Sequence, residues 1–168
     1  MPDLPPVVSD ATEWFIAQIG QMRRGRGASK AKPHKLVMLL AVLDLASDGL
    51  LSENKIYFAE PLLTRFDKYF ALAKDNGDWN QPAPPFFHLR SSGFWFHKVR
   101  LGRERAYSRL TTSGGGTKRI IENIEYAYLD DRAFMAVYHP IARQKVNDFI
   151  MTQLGIFTEL GVHAEHLR

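Results

Sequence analysis

Apolar positions recur along this chain mostly at helical spacing. Trp14, Phe15, Ile16, Ile19 and Met22 fall on one face, which predicts a helix capped by Asp10 or Thr12 and ending near Gly25. The proline-rich residues 1–9 before it predict an extended lead-in. Leu36, Val37, Leu39, Leu40, Val42, Leu43 and Leu45 are apolar on nearly every side, so the helix they form should be central. Pro33 stands at its first position and Asp48-Gly49 at its end. Glu60-Pro61 opens a further helix carrying Leu62, Leu63, Phe66, Tyr69, Phe70 and Leu72. Asp130 can cap a helix through Val137. His139-Pro140 breaks that pattern, and Pro140 starts a last helix with Ile141, Val146, Phe149, Ile150 and Leu154.

Between the helices lie shorter β-like runs. Lys55-Ile56-Tyr57-Phe58 reads as a short strand. Phe86–Leu89 and Phe94–Val99 read as two strands joined by Arg90-Ser91-Ser92-Gly93, with a third strand around Ala106–Leu110. Ile124–Leu129 fits either a strand or a helix. The expected fold is α+β: a mainly helical single domain with a small antiparallel sheet. Residues 10–155 would form the domain, and 156–168 a tail or the start of a linker.

A chain of 168 residues can bury a sizeable core. There is no cysteine, which excludes a disulfide framework and a cysteine zinc site. The N-terminus lacks the pattern of a signal peptide, and Leu36–Leu43, the longest apolar stretch, is too short to span a bilayer. The expectation is a soluble cytoplasmic protein with no membrane partner. The formal net charge of +4 fits a nucleic-acid partner without requiring one.

Where the charge sits says more. Arg23, Arg24, Arg26, Lys30, Lys32 and Lys35 cluster among Gly, Ala and Ser, a composition that lets backbone and cations approach phosphates. The same pattern also describes a solvated loop. His34 and Lys35 occupy the first turn of the central helix, where the helix dipole favours an anion. Pro82-Ala83-Pro84-Pro85 makes a stiff apolar wall poor in hydrogen-bond donors, or else a plain connector. Arg109, at the end of the third expected strand, could reach a phosphate or a guanine edge, or simply face solvent. Trp79, beside the proline run, could stack on a base.

Enzymatic signals are lacking. Gly114-Gly115-Gly116 is without the flanking residues of a phosphate-binding loop. The six histidines are scattered, and the carboxylates form no nuclease cluster. No catalytic residue, metal or cofactor is expected.

Taken in order, Pro33-His34-Lys35-Leu36, Pro84-Pro85-Phe86-Phe87-His88-Leu89-Arg90-Ser91-Ser92-Gly93-Phe94-Trp95, Tyr126-Ala127-Tyr128-Leu129-Asp130 and the late His-Pro carry a resemblance. From about Lys32 to Leu154 the chain resembles the sulfur-binding domains of phosphorothioate-dependent restriction endonucleases. The resemblance implies a reader of double-stranded DNA in which sulfur replaces a non-bridging phosphate oxygen, joined in such systems to an HNH nuclease. It implies that Pro84, Pro85 and His88 line an apolar sulfur cavity, with His34 and Lys35 beside it. Arg109 would touch DNA from the other side, and Lys32, Lys30 and Arg26 would add grip. The family often has Tyr before the cavity proline and a small residue three positions after it; Pro84 and His88 stand there instead. Two other readings remain at this level: an ordinary winged-helix-like DNA-binding regulator, and an interaction module with no DNA partner. The apolar central helix argues against its lying in a DNA groove.

Overall fold

The leucine-rich segment after Pro33 forms the centre of the molecule. In the computed structural model, which describes residues 3–25, 31–111 and 115–156, it is helix α2, His34–Ser47. Every residue from Leu36 to Leu43 is buried, and so is Leu45. A helix apolar on all sides must be covered on all sides. Here α3 (Leu62–Ala73), α4 (Ala83–His88), α7 (Asp131–Tyr138) and α8 (Pro140–Leu154) pack against it. Helix α1 (Pro6–Gln21) packs on α7 and α8, bringing Phe15 and Ile19 into the same core.

The sheet has two strands. β1 (Trp95–Val99) runs antiparallel to β2 (Ile124–Leu129), with Trp95 opposite Leu129 and His97 opposite Ala127. Ile124–Leu129 is thus a strand. Trp95, Ala127 and Leu129 face the core, while Phe96 and Tyr128 stack against each other on the outer face. Two short helices complete the domain: α5 (Glu104–Ser108) and α6 (Thr117–Asn123). The molecule is a mainly helical α+β single domain with a small antiparallel sheet, as the pattern predicted. The Asp130 cap also holds: its carboxylate accepts from the Arg132 backbone N–H at 2.9 Å.

Several local expectations are corrected. The proline-rich lead-in stops short, because α1 already begins at Pro6. Prolines fit a first helical turn, whose N–H groups have no partner within the helix. Thr12 then lies inside the helix, its hydroxyl donating to the Val8 carbonyl at 2.6 Å, and α1 ends at Gln21 rather than Gly25. Phe86 and Phe87 are not in a strand but end α4. Buried on consecutive positions, they fit a helix packed deep in the core as well as they fit a strand. The expected third strand, Ala106–Leu110, is instead α5 and its end, started by Glu104 beyond the turn at Gly102. Residues 55–58 supply only a bridge, Ile56 exchanging two 2.7 Å backbone bonds with Ala127.

Among the described residues, no helix is long and apolar enough to cross a membrane. The tail expected beyond Ile156 lies outside the described residues.

Leu40 is 0% exposed at the middle of α2. Leu40→Ala should lower unfolding stability by about 2–5 kcal/mol, measured by denaturant titration. A loss below about 1 kcal/mol would mean that α2 is not the core element described here.

Candidate nucleic-acid interface

Burial of α2 leaves only its two ends to reach solvent, and two loops are fastened to its first turn. Lys35 Nζ donates to the Arg23 carbonyl at 2.7 Å. His34 Nε2 lies 2.6 Å from the Trp79 carbonyl, so that nitrogen carries the proton. The His34 ring also packs on Phe70, with centroids 5.0 Å apart. Residues Met22–Gly25 thereby become a strap over one side of the helix start. Arg24 fixes the strap further, donating to the Lys32 carbonyl at 3.1 Å and the Ala31 carbonyl at 3.2 Å, while the Lys32 N–H donates to Gly25 at 2.6 Å.

The proline run closes the opposite side. It forms the first turn of α4. A proline followed by proline is biased away from helix. Anchoring of Phe86 and Phe87 in the core overrides that bias. The consequence is a helix start stripped of donors. Pro84 and Pro85 remove two of the N–H groups that such an end would normally present. Pro85 is buried, while Pro84 and His88 are partly exposed.

Strap, helix start and proline helix together enclose a cavity of about 460 Å³. It is lined by Arg23, Arg24, Gly25, Lys32, His34, Lys35, Gln81, Pro84, Pro85, His88 and Ser91. Residues separated by some fifty positions in sequence, His34 and Lys35 on one side and Pro84, Pro85 and His88 on the other, meet in one bowl. Four cationic side chains line it and no carboxylate does. Burial, and secondarily Arg23, lowers the pKa of Lys35, and burial lowers that of Arg24. An anion in the bowl would relieve both penalties. His88 is lowered as well, by burial first and then by Lys35 and Arg90. Its ring is therefore neutral at pH 7 and sits beside the prolines as a weakly polar surface.

The remaining sequence candidates fall elsewhere. Arg26 and Lys30 lie outside the described residues. Arg109 does not line the bowl. It caps α5 and lines a separate hollow with Ala106, Leu110, Thr111, Gly115, Arg119 and Asn123. A third hollow lies between them, sharing Gln81 and Pro84 with the bowl and reaching Gly116 and Thr117. Trp79 is 72% exposed near the rim, held by its carbonyl to His34. Sequence reasoning placed Arg23 and Arg24 in the basic loop but did not single them out as lining residues, and it missed Gln81 and Ser91. No group of three or more metal-ligating side chains occurs among the described residues.

Behind the bowl, one carbonyl anchors α4. The Phe86 oxygen accepts from Trp95 Nε1 at 3.0 Å and from His97 Nε2 at 2.9 Å. His97 Nδ1 then accepts from the Tyr107 hydroxyl at 2.8 Å. The 3.3 Å approach of Trp95 Nε1 to His97 Nε2 is two donors sharing one acceptor, not a bond between them. Arg90 lies over the Phe87 ring at 4.0 Å and over Tyr107 at 5.5 Å. This cluster ties the cavity helix to β1 and to α5.

No protein-family model and no curated protein matches the chain.

Burial lowers the His97 pKa from 6.5 to about 4, with Arg90 adding to the shift and the bond to Phe86 opposing it. Between those pH values the unfolded chain binds the proton and the folded one does not. Stability is therefore complete above pH 6.5 and falls as pH drops toward 4, by about 3 kcal/mol. His88 adds to the same trend. Denaturant titrations across this range should show the fall, and His97→Gln should flatten most of it. An unchanged slope in that variant would assign the proton to another group.

Proposed function

We propose that this protein reads double-stranded DNA carrying a phosphorothioate linkage, the backbone seated in the bowl with sulfur toward Pro84, Pro85 and His88. The observation that carries the reading is the joining of two unlike walls in one cavity, a cationic one from Arg23, Lys32 and Lys35 and a donor-poor one from the proline helix. A phosphate oxygen against the proline wall would lose water without gaining a donor, at a cost of roughly a few kcal/mol. Sulfur is larger, more polarisable and less strongly hydrated, so it loses less there. Discrimination then comes from rejecting oxygen as much as from accepting sulfur. Affinity comes from the cationic wall, which releases counterions as it neutralises neighbouring phosphates.

The bowl exceeds the volume of one sulfur atom, which suits a backbone segment rather than an isolated ion. Pro84 and His88, where the resembling family often has Tyr and a small residue, alter the shape of the wall but not its character: a proline and a neutral imidazole add no cation to it. We assign no cleavage chemistry to this chain. Such a reader would act with a nuclease of the HNH type, which fits the resemblance.

The test is binding of matched duplexes that differ by one sulfur, followed by fluorescence anisotropy at near-physiological salt. The sulfur duplex should bind at least about tenfold more tightly, a difference of about 1.4 kcal/mol. Equal affinity would leave a general anion-binding bowl and end the sulfur assignment.

Substitutions separate the two walls. Lys32→Ala should weaken both duplexes alike and reduce the salt slope by about 0.9, the value for one phosphate contact. Lys35→Ala should cost more, because it also releases the strap at Arg23. Pro84→Gln, which offers the wall a donor, should erase most of the sulfur preference while unmodified DNA still binds. Full preference in Pro84→Gln would place the sulfur elsewhere.

A further inference from the structure

The turn between β1 and α5 differs from the rest of the surface. Leu101 is 98% exposed, more than any other large apolar side chain among the described residues. It sits at the second position of a four-residue turn, in which the Arg103 N–H donates to the Arg100 carbonyl at 3.0 Å. Gly102 occupies the third position at φ +81°, the geometry of a type II turn. Both arms of the turn are pinned. The Arg100 N–H donates to the Asn123 carbonyl and its Nε to the Ile121 carbonyl, each at 2.8 Å. Arg103 Nε donates at 3.0 Å to the side chain of Asn123, which is 1% exposed. The leucine is therefore presented by a braced tip and packs on nothing.

Its surroundings are cationic. Lys98, Arg100, Arg103 and Arg105 lie within eight residues, against Glu104 alone. Helix α6 adds Lys118 and Arg119. These two and Arg103 approach the single carboxylate of Glu122 at 3.5–4.0 Å, which leaves an excess of positive charge. Ile121, half exposed, is the neighbouring apolar residue, bonded through its carbonyl to Arg100. An apolar protein surface would meet these cations unfavourably. A nucleic-acid duplex presents the matching pattern, phosphates outside and stacked bases within.

We propose that the Arg100–Arg103 turn is a second DNA contact, a groove-entering wing whose Leu101 acts as an apolar wedge against base steps while the flanking cations hold phosphates. The proposal rests on the duplex-binding reading above and adds a contact that does not sense sulfur. A leucine pushed between base steps partly unstacks them.

The experiment uses the whole chain with duplexes carrying 2-aminopurine at successive positions, with and without one phosphorothioate. The native protein should raise 2-aminopurine fluorescence at one step, the mark of unstacking. Leu101→Ala should abolish that rise and weaken both duplexes by about fivefold or more, leaving the ratio of sulfur to oxygen affinity unchanged. Its thermal midpoint should equal that of the native protein, since Leu101 packs on nothing. Leu101→Phe should restore the rise. Arg105→Ala should keep the rise and reduce the salt slope by about 0.9. If the native protein prefers the sulfur duplex and Leu101→Ala binds and unstacks as the native protein does, the wing is overturned and the sulfur reading stands. If the native protein binds no duplex, both fall.

Discussion

The structure depends on one constraint: α2 is apolar all round and must be covered all round. Eight consecutive buried residues, Leu36–Leu43, leave that helix no solvent face. The elements that cover it can leave it open only at its ends. Its N-terminal turn is therefore one of the two places where this core helix meets water, the other being the turn that ends at Ser47. His34 and Lys35 stand in the N-terminal turn, and their hydrogen bonds to Trp79 and Arg23 fasten two loops to the core. Functional groups carried on such an element lose little freedom when they bind, which keeps the entropic cost of recognition low.

The bowl's second wall follows from a conflict settled the same way. Proline pairs resist helix, yet Phe86 and Phe87 gain enough from full burial to impose one. The resulting helix start has the geometry of an anion site but few of its N–H donors. A cationic wall and a donor-poor wall facing each other is an unusual pairing. Cations alone would suit any phosphate, and a dry wall alone any apolar group. Together they favour a ligand that is anionic overall and weakly hydrated at one atom.

Legibility of the sequence tracked the strength of each local signal. The central helix, the last helix and the Asp130 cap were readable because spacing and capping chemistry agreed with the tertiary outcome. Phe86–Leu89 and Ala106–Leu110 were not, because runs of four or five residues fit both periods and burial decides between them. At the site, residue types pointed to a basic loop, a helix start and a proline wall. Nothing in their spacing said that His34 and Lys35 would face Pro84, Pro85 and His88. That expectation came only with the family resemblance, and the bowl is lined by all five. The division of labour among the arginines was illegible too. Arg24 turns its guanidinium inward onto the strap's own carbonyls, so it builds the wall more than it offers charge.

Arg109 shows how a distant cation can still belong to the same surface. It lies outside the bowl, in a hollow shared with Arg119, and the hollow between them is lined by Pro84 on one side and Gly116 and Thr117 on the other. The spacing is not left to loops. Tyr107, two residues before Arg109, donates to His97, and His97 donates to the Phe86 carbonyl of the proline helix. One half-buried imidazole thus braces the cavity wall against the helix that carries Arg109. Because His97 must stay neutral to accept from Tyr107, that brace is a neutral hydrogen-bond chain rather than an ion pair. Salt can therefore screen the exposed cations of this surface without loosening the frame that sets their distance from the bowl.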